Sequence, residues 1–347
     1  ALKKYDETNG DGQFLFGMAD LTRGWCECEK CRALDPPGHS LKAKGNPDVS
    51  TRFSKVVNVM AEKIFAKYPN AEVVRWAYHT YRNLPVGVKH DPRMYFQYCT
   101  HGRCHGHTLD DTKCRRNQDF MKGLNDWIAF SGRGGFLYDY LCGNSDDHYC
   151  CCEKKEAGDI RLYAKLGMVG WKNEMQYEGG NYVKYVRNNP KRLKRANDVQ
   201  ASNWRYFYTT GRLLWEPGLD IDAMLDDVNI LYYGVAAKPM MEYQNLRQQL
   251  WNTSSVCMGY PWGNSRTPQL LNDLSAKDRL FRLLDEGAKL AVNDAVVSNR
   301  IARDRAWLQE YWVEPNDKFR AKMGSEFKAP RPISPVQIDG IGDEAAW

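Results

Sequence analysis

Between residue 13 and about residue 215, short apolar runs alternate repeatedly with amphipathic stretches, and this alternation constrains the chain more than any other feature. "QFLFGMAD" (13–20), "AEVVRWAYHTY" (71–81), "MYFQYCTH" (94–101), "GGFLYDYL" (134–141) and the run opening "GMVGWKNEMQYEGG" (167–180) read as five strands. Helical spacing of apolar residues falls between them, over 50–69, 117–130 and 157–167. The first of these helices takes Ser50 as its cap and Phe53, Val56, Val57, Met60, Ile64 and Phe65 as its apolar face. Continuous apolar strands separated by helices predict an α/β fold, a parallel sheet covered by helices.

After about residue 200 the strand signal stops. Helical patterns run over 201–218, 220–252 and 276–312, broken at Pro239 and across a Pro/Gly-rich connection at 259–268. A helical subdomain over 201–327 is therefore expected behind an α/β part over 1–200. The Pro-rich "KAPRPISPVQ" (328–337) reads as a linker within a last segment, 328–347.

Composition narrows the function classes. The net charge of +6 is spread along the chain apart from Lys191, Arg192, Lys194 and Arg195, whereas nucleic-acid binding asks for a continuous basic stripe. No apolar run reaches the roughly 20 residues that span a bilayer. The opening "ALKKYDETNGDGQ" has neither an initiator Met nor an apolar core, so a processed or incomplete protein is expected. The 11 Trp and 20 Tyr include the strand-end pairs Trp76/Tyr78, Tyr138/Tyr140 and Trp171/Tyr177. Flat aromatic faces of this kind stack on sugar rings and also anchor cores.

In parallel α/β folds, functional groups gather where strands end. Three of the five expected strands end in an acid, Asp20, Asp139 or Glu174, and the other two in His79 or His101. A buried carboxylate needs a partner or a purpose, and paired acids facing a sugar cleft are what glycoside cleavage requires. Caps and Arg pairs are the structural alternative for each acid.

Eleven cysteines are many for a reducing compartment, and an odd number cannot pair completely within one chain. "WCECEKC" (25–31) brings together Cys26, Cys28 and Cys31. "CTHGRCHGHTLDDTKC" (99–114) brings Cys104, His107 and Cys114 into close spacing. Disulfides or free thiols are the first reading of these residues and structural zinc is the second. A catalytic metal, a nucleophile elbow and a dinucleotide fingerprint all lack their motifs.

The residues that carry a family likeness are "GMADLTRGWCECEKCRALD" (17–35), "RFSKVVNVMAEKIFAKYPNAEVVRWAYHTYRNLP" (52–85), "CHGHTLDDTKC" (104–114), "NQDFMKGLNDW" (117–127), "FLYDYL" (136–141) and the stretch 208–246 with its "LLWEPG". Together they resemble the domain of unknown function 4838, which overlaps glycoside hydrolase family 163. The resemblance implies a partial TIM-like (β/α) barrel, about three strands short of eight. It also implies retaining, two-carboxylate hydrolysis of a β-linked N-acetylhexosamine in a complex glycan, with substrate assistance as one form of it, and secretion to a periplasmic or extracellular location. Glu174 matches the family's acid, here the general acid/base, and Asp139 the polarising carboxylate. Asp20, Tyr78, His79, Tyr98, Tyr140, Trp171 and Tyr177 are expected to line the sugar subsites, with no cofactor required. "VQIDGIGDEAAW" resembles the first strand of a family 9 carbohydrate-binding module. A glycan-binding protein without the chemistry is the rival reading. Another is a hydrolase for uronosides, provided the basic residues at 191–195 face the cleft.

Overall fold

A computed structural model describes residues 6–7, 13–17, 24–38, 47–140, 149–173, 188–259 and 266–326. Five strands, β1 (Gln13–Phe16), β2 (Glu72–Ala77), β3 (Tyr95–Cys99), β4 (Phe136–Asp139) and β5 (Gly170–Asn173), form one sheet in the order β1-β2-β3-β4-β5. Every neighbouring pair is parallel, in registers such as Trp76 with Gln97 and Leu137 with Trp171. Sequential parallel pairing requires a crossover at each step, and crossovers of one hand put the helices on one face. The result is a curled half-barrel, with α1 (Ser50–Lys67), α2 (Arg115–Ser131) and α3 (Glu153–Lys165) outside it.

The helices meet the sheet through two apolar clusters. Phe14 and Val73 pack with Phe53, Val57, Ile64 and Phe65 of α1. Ala77, Phe96, Tyr98 and Leu137 pack with Phe120, Leu124 and Trp127 of α2 and Tyr163 of α3. In α1, Ala61 occupies the core-facing stripe and Val56 points to solvent. Ser50 is not the cap: it is the first helical residue and is buried, and the Asp48 carboxylate accepts its backbone N–H at 2.8 Å. That acceptor satisfies one of the orphan donors of the first turn.

The helical region starts earlier than residue 201, with α4 (Pro190–Ser202), and continues as α5 (Trp204–Trp215), α6 (Ile221–Tyr233) and α7 (Ala237–Thr253). Gly234, at φ 47°, makes the break between α6 and α7, whereas Pro239 lies in the first turn of α7. A proline there gives up a backbone N–H that no helical carbonyl could receive. Next come α8 (Leu274–Leu290), α9 (Ala295–Leu308), a π turn over Gln309–Val313 and α10 (Glu314–Glu326). Their core includes Tyr149 and the run Cys150–Cys152, which therefore serves as small apolar packing ahead of α3. Among the described residues no helix is long and apolar enough to cross a membrane.

Candidate functional site

Side chains alternate across a strand, and in this sheet the alternation decides what each strand-end residue can do. Val73, Arg75, Ala77, Phe96, Tyr98, Leu137, Asp139 and Trp171 form the rows that face the helices. Trp76, Tyr78, Cys99, Tyr138 and Lys172 belong to the opposite, concave face. At its carboxyl end the ring centroids of Trp76 and Tyr138 are 5.2 Å apart, and the Lys172 ammonium lies 5.5 Å from the Tyr138 ring. Tyr138 and Tyr140 are 5.4 Å apart, Tyr140 and His101 6.0 Å, His101 and His79 5.7 Å, and His101 and Tyr78 5.9 Å. Four predicted or strand-end residues, Tyr78, His79, His101 and Tyr140, thus form one aromatic and imidazole cluster, half-buried except for the buried Tyr140. His79 starts a 3-10 turn at φ 48°, a conformation that costs a residue other than glycine about 1–3 kcal/mol.

Asp139 faces the other way. Its Oδ1 accepts the Thr100 hydroxyl and its own successor's backbone N–H, from Tyr140, both at 2.7 Å. Its Oδ2 accepts the Trp171 indole N–H at 3.3 Å and lies 3.5 Å from Arg103 Nη1. Burial alone would raise this carboxyl's pKa. The Arg103 charge, His105, the Thr100 hydroxyl and the Tyr140 amide instead hold it well below the usual carboxylate range. A carboxylate held this way stays ionised and supplies no proton near neutral pH. The sequence reading set Asp139 at the sugar cleft, but the pleat turns it toward the helices, where its oxygens are occupied by protein donors.

Behind Asp139 is a buried ionic network. Arg103 reaches Glu156 and Asp159 of α3, each at 3.3 Å, and donates to the Tyr163 hydroxyl at 2.5 Å. Lys155 lies 2.6 Å from Asp159 and 2.9 Å from Glu156. Arg103 Nε donates to His105 Nδ1 at 3.1 Å, which leaves the ring proton on Nε2, 3.6 Å from Asp139 Oδ1. Burial and the Arg103 charge push His105 well below its ordinary range, so the ring is neutral. Burial likewise raises the Glu156 carboxyl.

Tyr98 and Trp171, expected at sugar subsites, also lie on the helix side. The Tyr98 hydroxyl accepts from Arg82 at 2.8 Å, at a cleft of about 390 Å³ beside α2 that Arg116, Lys122 and Asp126 also line. Trp171 packs in the cluster of Leu137 and Trp127. Asp20, Glu174 and Tyr177 lie outside the described residues, with Glu174 directly following the last residue of β5.

The cysteine-rich loops form two groups. Cys26, Cys28 and Cys31 bring their sulfurs within 4.8 Å of one another, the first two exposed. Hydrogen bonding to the Cys31 backbone lowers the Cys28 thiol, and Cys26 helps push Cys31 up to about 11. The second group joins Cys104, His107 and Cys114 to Cys257, again with all ligand atoms within 4.8 Å. Cys26, Cys28, Cys31, Cys104, Cys114, Cys151 and Cys257 carry free thiols. Spacing along the chain gives no sign that Cys257 joins the second group. Nor does the sequence reading single out Arg103, His105, Glu156 or Asp159, although "RCH" at 103–105 places two of them beside a chosen cysteine.

A family model described as a domain of unknown function, DUF4838, matches residues 2–245. No curated protein and no solved structure matches the chain.

Proposed function

The chain belongs to the DUF4838 family, and from that premise we propose that it is a glycoside hydrolase acting on a β-linked N-acetylhexosamine of a complex glycan, on a partial TIM-like (β/α) barrel. The observation that carries this reading is the cluster of partly exposed Trp76, Tyr78, His79, His101 and Tyr138, joined through the buried Tyr140, at the carboxyl end of the parallel strands. Barrel enzymes act at that end. Flat rings there offer stacking area to the apolar faces of sugars, and the imidazoles offer hydrogen bonds to hydroxyls.

In this reading the proton donor is Glu174, and the substrate's own acetamido oxygen attacks the anomeric carbon. Asp20 binds the sugar. Asp139 is a positioning residue: it fixes Trp171, Thr100 and Arg103 beneath the strand ends and keeps its charge away from the substrate. Secretion and a downstream carbohydrate-binding module belong to the same reading. The uronoside variant loses one support, because Lys194 is held by Asp198 at 2.7 Å and by Glu310 at 2.8 Å.

A Glu174→Gln protein is expected to retain glycan binding while turnover falls by about 10²–10⁴-fold, the usual worth of general acid–base catalysis. Wild-type rates in that variant would refute the assignment. The second reading is a glycan-binding protein without catalysis, favoured by the occupied oxygens of Asp139. Glycan binding with no sugar release across N-glycan, mucin and plant polysaccharide panels would select it.

A further inference from the structure

We propose that Cys104, His107, Cys114 and Cys257 form a structural zinc site that fastens the segment after α7 to the loop between β3 and α2. The inference stands apart from the glycosidase reading. Cys104 Sγ is 3.3 Å from His107 Nδ1, Cys257 Sγ is 3.7 Å from the same nitrogen, and Cys114 Sγ is 3.9 Å from Cys257 Sγ. A tetrahedral zinc ion with bonds of about 2.3 Å to sulfur and about 2.0–2.1 Å to nitrogen places ligands roughly 3.5–3.8 Å apart. A disulfide would bring two sulfurs to about 2.05 Å. Three of the six edges thus lie close to those of a tetrahedral site, all six are within 4.8 Å, and the Cys114 and Cys257 sulfurs are too far apart for a bond.

The surroundings suit thiolates. Cys104 Sγ accepts backbone N–H bonds from Gly106 and Met258, both at 3.3 Å. The His107 ring turns Nδ1 toward both the Cys104 and the Cys257 sulfur. Three thiolates and one neutral imidazole around a divalent ion carry one net negative charge. The buried Arg266, anchored on the Val256 carbonyl at 2.7 Å and the Trp251 carbonyl, supplies the compensating charge. Four protein ligands leave no open position, which is the pattern of a structural rather than a catalytic zinc.

The site also bears on the ionic network. In the run Arg103-Cys104-His105, the middle side chain points to the thiol cluster and the flanking two point to Asp139 and α3. The same loop is tied to the far segment by His105 N–H donating to the Met258 carbonyl at 2.6 Å. A Cβ on Gly259 would come within 2.2 Å of the Arg103 carbonyl oxygen, so only glycine allows this approach. Cys114 and Cys257 are 143 positions apart, and a metal between them cross-links the half-barrel to the helical region. Metal removal therefore loosens Arg103 and His105 under the strand ends.

The test uses the full chain purified without chelator. Elemental analysis is expected to find tightly held zinc, one equivalent of which is lost in Cys257→Ser. The exposed group is the internal control, so Cys28→Ser keeps that equivalent. Cobalt substitution should give the visible bands of a tetrahedral ion with sulfur ligands, and Cys257→Ser should weaken them. Should Cys257→Ser not fold, alkylation of the wild type decides: Cys104, Cys114 and Cys257 are protected until a chelator is added. Equal metal content in wild type and Cys257→Ser overturns the proposal. So does alkylation at the same rate with and without zinc, or a Cys114–Cys257 disulfide found by peptide mapping.

Discussion

Replacing Asp139 by Asn keeps its shape and removes its charge, which isolates the electrostatic part of the network. At an effective dielectric of about 20, unit charges separated as Asp139 and Arg103 are, at 3.5 Å, attract by roughly 5 kcal/mol before desolvation is counted. Arg103 keeps Glu156 and Asp159 at 3.3 Å in the variant, so its buried charge stays compensated and the net cost is smaller than the lost attraction. An Asn oxygen can still serve Thr100 and the Tyr140 amide. Its NH₂ group, however, meets two donors, the Trp171 indole and Arg103, across the Oδ2 position. We expect a loss of about 3 kcal/mol, the lower end for breaking a buried pair, and a Tm drop of about 6 °C at about 2 °C per kcal/mol.

The pH dependence sharpens the test. The folded Asp139 pKa is lowered beneath the unfolded value of about 3.9, so its contribution is present above that pH and fades as pH falls toward the folded value. The stability gap between wild type and Asp139→Asn should therefore be constant above about pH 5 and narrow below about pH 4. Thermal and urea unfolding followed by circular dichroism between pH 3 and pH 7 measures both. A variant within about 0.5 kcal/mol of wild type at neutral pH, the range of a neutral surface substitution, with a gap that ignores pH, would refute the reasoning.

Further outcomes are expected from the fold itself. Arg75 is fully buried between the rings of Phe53 and Trp127, at 5.3 and 4.5 Å, and its guanidinium has no hydrogen-bond partner among the described residues. Arg75→Met should stabilise the protein by about 1–3 kcal/mol, because the buried charge outweighs its cation–π contacts; a lower Tm would contradict this. Gly134 packs so closely on the turn before β5 that a Cβ would lie 1.8 Å from the Gly167 carbonyl oxygen. Backbone cannot step aside as a side chain does, so Gly134→Ala should cost about 1–3 kcal/mol in chemical denaturation. An unchanged midpoint would show that the loop gives way.

The strands and most helices were legible because their signal is local. Segments 13–16, 72–77, 95–99, 136–139 and 170–173 carry the sheet, and each fell inside an expected strand. Boundaries drifted where local rules compete: Pro239 reads as a breaker but is tolerated in a first turn, and Gly234 makes the turn instead. In "YDY" at 138–140 the alternation itself was readable, but which side the helices cover was not. That side turned Asp139 inward to Arg103 and left Tyr138 and Tyr140 on the concave face.

By itself the sequence determined the α/β order, the parallel sheet and three of the four residues of the thiol–imidazole cluster, because periodicity and close spacing act over a few residues. Only the tertiary structure could bring Cys257 to Cys114 across 143 positions and gather Arg103, Asp139, Glu156 and Asp159 into one buried network. The physical reason is range. Hydrophobic patterning is written along the chain, whereas metal-ligand geometry and charge pairing depend on distances of a few ångströms between segments that meet only when the helices close over the sheet.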